Sequence, residues 1–166
     1  MSGVSVTRDT FRMMVAAVPE DLVGLPADDE WAAWLGLTST PAGDRTAVVL
    51  VSITVTALDT SLGAARAAES LAARVRARYP EGTALVEEFT TPGGNRAVSV
   101  RRTVTQQVDG RDVSTAQAQA LVVYPGPGAL GVVSGVALDP DDLDRAAVLV
   151  SGIAAGMTVT SAPAAA

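Results

Sequence analysis

The chain has 166 residues, 12 basic and 18 acidic side chains and a net charge of −6, with no histidine, no cysteine and no lysine. That length suits one domain able to bury about 70% of its unfolded surface, and the acidic balance excludes the basic face that nucleic acid or an anionic membrane surface requires. Missing cysteine removes disulfides, thiolate nucleophiles and cysteine zinc sites together.

Alanine, valine and leucine supply most of the apolar content and aromatics are few, so the core is expected to be aliphatic. Absent lysine and abundant alanine suit a high-GC bacterial genome. The first 24 residues lack a basic segment followed by an apolar one. No stretch reaches the roughly 20 apolar residues of a membrane span. On this reading the chain is cytoplasmic, with no membrane span.

In chain order, "FRMMVAAV" at 11–18 predicts a strand ended by Pro19. "PADDEWAAWLGL" reads either as a short helix, whose N-terminal dipole favours Asp28, Asp29 and Glu30, or as a strand entered at Trp34. "STPAGD" reads as a loop. Residues 46–57, "TAVVLVSITVTA", form the clearest strand, with Val49, Val51, Ile53 and Val55 on one face. The other face is apolar at Val48 and Leu50 and polar from Ser52 onward. Helices over both faces are expected at the apolar end.

A long helix follows over about 60–79, with Ala68, Ala72, Val75 and Tyr79 inward and Arg66, Glu69, Arg74 and Arg76 outward. Pro80 and Gly82 end it. The runs "TALVEEFT", "RAVSVRRTVTQQV", "VSTAQAQALVVY" and "ALGVVSGVAL" are separated by "TPGGN", "DG" and "PGPG", which makes an antiparallel meander. Asp139 and Pro140 open a last helix whose buried stripe is Leu143, Ala147, Val150, Ile153 and Ala154. Gly156 is placed at its left-handed C-terminal position. "MTVT" adds a short strand, and 161–166 reads as a disordered tail after a single domain over 1–160.

From about residue 46 to 159 this order resembles the PsbP-like fold of photosystem extrinsic subunits, Ran-binding Mog proteins and actinobacterial LpqN-type proteins. The resemblance rests on "AARAAESLAARV", "AQAQALVVY", "GALGVVSGVAL" and "DPDDLDRAAVLVSGIAAGM". It implies an α+β domain, an α/β/α sandwich with one largely antiparallel sheet, that binds partners and mostly lacks enzymatic activity. Gly131, Gly135 and Ala137 are expected to let a helix approach that sheet closely.

Candidate chemistry is sparse. Ser61, Ser114, Ser134 and Ser151 have no histidine or lysine to act as base. Glu87 and Glu88 are adjacent on a strand, so they face apart. Asp139, Asp141, Asp142 and Asp144 are better explained by helix capping than by calcium, since Pro140 breaks the ligand spacing. No cofactor or metal is called for.

The expected function is a non-enzymatic protein-interaction module. Its candidate contact residues are Trp31 and Trp34 together with Arg96, Arg101, Arg102 and Arg111, which gather around one hairpin in the sequence. Of Arg101 and Arg102, only one can share a face with Val98 and Val100. Trp34 is expected in the core and Trp31 nearer solvent. The alternative is a small-molecule binding protein with an apolar pocket between sheet and helix near the two tryptophans.

Overall fold

The computed structural model describes residues 2–8, 11–18, 23–25, 34–42 and 45–161, with side chains described over 11–15 and 46–161. The strands are β1 (Ser2–Arg8), β2 (Phe11–Val18), β3 (Val23–Leu25), β4 (Trp34–Ala42), β5 (Arg45–Ala57), β6 (Leu85–Thr90), β7 (Arg96–Val108), β8 (Arg111–Tyr124), β9 (Ala129–Ala137) and β10 (Met157–Ser161). The helices among the described residues are α1 (Ala64–Arg78) and α2 (Leu143–Ala155), which makes the fold α+β.

All strand pairings are antiparallel, but they form two sheets where the sequence pointed to one. A seven-stranded sheet runs β3-β4-β5-β9-β8-β7-β6, and a separate three-stranded sheet runs β1-β2-β10. The cause is β2. Instead of joining the main sheet it collects β1 and the C-terminal β10, a pairing between distant segments that no local periodicity announces.

The clear sequence signals produce the expected elements. In the β7–β8 turn, Asp109 and Gly110 both have positive φ, at 50° and 76°. That is the backbone a two-residue hairpin turn needs to match the strand twist. Asp139 caps the last helical segment, its carboxylate accepting from the Asp141 N–H at 2.9 Å. Pro140–Asp142 forms a 3-10 turn that leads into α2.

Two local expectations fail. "STPA" continues β4 through Ala42, with Pro41 opposite Thr46. Proline is tolerated because β3 pairs only with Leu35–Leu37, which leaves the outer edge of β4 unpaired at Pro41 among the described residues. Gly156 has φ −95°, not a left-handed value, because α2 runs directly into β10 without reversing.

Alternation along the strands sorts the core into two clusters. On one face, Ala67, Ala68, Leu71, Ala72 and Val75 of α1 pack on Val98, Val100 and Val123. The other face, with Val51, Ile53, Ala118, Ala120, Val122 and Val133, meets α2 through Ala146, Val150 and Ile153. The three-stranded sheet shares that side through Met13, Val15, Met157 and Val159. The helices therefore lie on opposite faces of the large sheet.

The glycines of β9 do different work from one another. A Cβ at Gly135 would stand 2.8 Å from Val150 Cγ2 of α2, so this glycine does permit close helix approach. At Gly131 a Cβ would overlap the Met157 methyl and stand 3.0 Å from the Tyr124 ring, so that glycine admits β10 instead of a helix.

Tyr124 ties the two sheets together. Its buried hydroxyl donates to the Met157 carbonyl at 3.1 Å. Burial pushes the phenol well above its ordinary value of 10.0. As pH rises past 10 the unfolded chain loses this proton while the folded protein keeps it. Stability is thus intact below about pH 10 and falls above it by up to about 1.4 kcal/mol per pH unit. With no lysine or cysteine in the chain, tyrosine carries the alkaline loss. Tyr124→Phe is expected to be less stable at neutral pH by roughly 1–2 kcal/mol but to lose most of this alkaline dependence. Urea melts from pH 8 to about 11 test it; equal alkaline slopes in both proteins would contradict it.

Candidate functional site

The two sheet faces are not covered alike. α2 and the three-stranded sheet close one face, whereas α1 rests mainly on β6, β7 and β8, with Leu130 of β9 at the margin of its cluster. Among the described residues, the face of β5 and β9 on the α1 side has no helix over the end carrying Val48 and Leu50. Of the helices expected over both faces there, the described residues supply only α2, on the other face. Leu50 is 37% exposed, and Leu138, whose N–H bonds the Val48 carbonyl, is 65% exposed.

Beside these apolar residues lies a polar row. Gln119 Nε2 donates to Ser134 Oγ at 3.0 Å, and Arg102 Nε donates to Gln117 Oε1 at 2.7 Å. The guanidinium of Arg102 also sits 4.7 Å from the centre of the Tyr79 ring, at the C-terminal end of α1. Arg102 is therefore the arginine that shares a face with Val98 and Val100, and its charge is met by an amide and an aromatic face. Arg76 and Glu88, 3.0 Å apart, add an exposed ion pair between α1 and β6.

A half-open groove of about 640 Å³ flanks α1, between that helix and the end of β5. Ala57, Leu58, Leu62, Ala67 and Leu71 supply its apolar lining, and Arg66, Arg74, Glu69, Asp59 and Ser70 its polar one. Hydrogen bonds from the Ser61 side chain and backbone hold the Asp59 carboxyl below its usual range. The groove thus presents charges of both signs.

The four candidate arginines do not form one cluster. Arg96 opens β7 opposite Thr90, while Arg111 stands opposite Val108 at the other end of the same strand. Twelve residues of extended chain separate those ends, about 40 Å. Arg101 points to the α2 side, level with Ala118, and Arg102 to the α1 side. They are near in sequence because a tight turn joins two long strands.

Trp34 enters β4 opposite Ile53, so from Trp34 onward the strand reading holds over the helix. Its side chain, the whole of Trp31 and the pocket expected near them lie outside the described residues. The open face was readable from one signal that was given another meaning. In "AQAQA", alanine meets the closed face and glutamine the open one.

No protein-family model matches the chain, and no curated protein does. Among solved structures it is similar to the one titled "Crystal structure of LpqN involved in cell envelope biogenesis of Mycobacterium tuberculosis". The two are 19% identical, with a TM-score of 0.49, over 98% of this chain and 91% of that one.

Proposed function

We propose that the chain is a bacterial binding module without catalytic chemistry of its own, which takes a protein segment on the open face of its large sheet. The supporting observation is the uneven cover of that sheet, with Leu50 and Leu138 exposed beside the row of Gln117, Gln119 and Ser134. Exposed aliphatics next to amides of fixed orientation suit a partner that buries apolar side chains and reads a few hydrogen bonds. Because histidine, cysteine and lysine are absent, the usual bases and nucleophiles are missing as well. We read the architecture as the α/β/α sandwich of PsbP-like proteins and the site of action as the cytoplasm.

A photo-crosslinking residue at Leu50 or Leu138, expressed in the native host, tests the reading against one at Val148, which is 74% exposed on α2. Protein adducts are expected from the first two positions and not from the third. Identical adducts from all three positions, or none from any, would contradict it. The groove beside α1 supports a second reading, a small-molecule site, since its volume lies in the range of roughly 300–1,000 Å³ usual for ligand pockets. A small non-covalent adduct in native mass spectra, lost on Ser70→Trp, would favour that reading.

A further inference from the structure

The β7–β8 hairpin outruns its neighbours. β6 pairs with β7 only from Arg96 to Arg101, and β9 pairs with β8 only from Ala116 onward. From Arg102 to Val108, β7 therefore has an unpaired outer edge among the described residues, and the hairpin projects as a two-stranded ribbon. An isolated ribbon of this kind is marginal in water. Natural proteins guard such edges with charge, proline or a bulge.

The edges next to this hairpin carry charges: β6 has Glu87 and Glu88, and the free end of β8 has Arg111 and Asp112. The segment Thr103–Val108, "TVTQQV", has no charge, no proline and no glycine. Every residue in it is exposed except the half-buried Val104. On a molecule of net charge −6, this is an edge that two copies can share without bringing like charges together.

We propose that the free edge of β7 is a homodimer interface, in which two copies pair antiparallel about a two-fold axis and join their large sheets. Centring the axis on Gln106 sets Val104 opposite Val108 of the second copy on one face. It sets Thr105 opposite Gln107 of the second copy on the other. The same register brings Asp109 of the second copy level with Thr103, so the paired stretch ends before Arg101, whose outer edge is taken by Leu85 of β6. Main-chain hydrogen bonds would supply most of the attraction and the alternate side chains the register. A two-fold arrangement uses up the edge in both copies, so association closes at two.

Light scattering on the purified chain at micromolar concentration is expected to give twice the chain mass. Thr105→Lys with Gln107→Lys places lysine opposite lysine, and Thr105→Glu with Gln107→Glu places glutamate opposite glutamate. Each double variant is expected to weaken the dimer by at least about tenfold while keeping a native circular dichroism spectrum. An equimolar mixture of the two should recover a mixed dimer, which simple loss of folding cannot do. A monomeric wild type, open-ended oligomers, variants that dimerise like wild type, or a mixture that stays monomeric would each overturn the proposal.

Discussion

Ile153→Ala is expected to destabilise the protein by roughly 2–5 kcal/mol, the largest single effect foreseen. Ile153 is 1% exposed and belongs to the cluster formed by α2, the large sheet and the three-stranded sheet. Truncation removes three carbons from a site fixed from several directions, so collapse around the cavity is limited. On the opposite side of α2, Val148→Ala is expected to stay within about 0.5 kcal/mol of wild type. For a domain this size each kcal/mol lowers the melting temperature by about 2–4 °C. Equal melts for the two variants would mean that α2 does not pack as described.

Gly135→Val is expected to cost roughly 1–3 kcal/mol by overpacking. Even the first added carbon would stand 2.8 Å from Val150 Cγ2, and the Ala146 carbonyl lies 3.7 Å away. Valine favours strands, which offsets some of the loss by up to about 1 kcal/mol, but the two further methyls must displace α2. The cause can be isolated with the smaller change. If the helix contact is responsible, Gly135→Ala and Val150→Ala combined should cost less than the sum of the two alone, with a coupling of roughly 0.5–3 kcal/mol. Strict additivity would place the strain elsewhere.

Much of the fold was legible because its signals are local. Val49, Val51, Ile53 and Val55 alternate, α1 repeats small residues at helical spacing, and Asp109-Gly110 marks its turn by the backbone it needs. What escaped depends on pairing at a distance. β3 has three residues, too few to display a period, and β1 shows its role only once β2 is known to leave the main sheet. Neighbours also decided the fate of "STPA", since Pro41 is acceptable only beside an unpaired edge. At the candidate site, adjacency misled. Arg101 and Arg102 are neighbours in sequence and lie on opposite faces, while Arg102 and Tyr79 are far apart in sequence and stack. The uneven cover of the sheet depends on which strands α1 crosses, and nothing within α1 specifies that.

The proposed binding role rests on the open face, and one affinity comparison tests it most directly. Once a partner is captured by crosslinking, its dissociation constant is measured for wild type, for Leu50→Asp with Leu138→Asp, and for Val148→Asp. Both leucines are exposed, so the double variant should melt close to wild type while binding at least about tenfold more weakly, a loss of about 1.4 kcal/mol. Val148→Asp should bind as wild type does. Undiminished binding by the leucine variant, or an equal loss in both, would contradict the assignment of the open face as the binding surface.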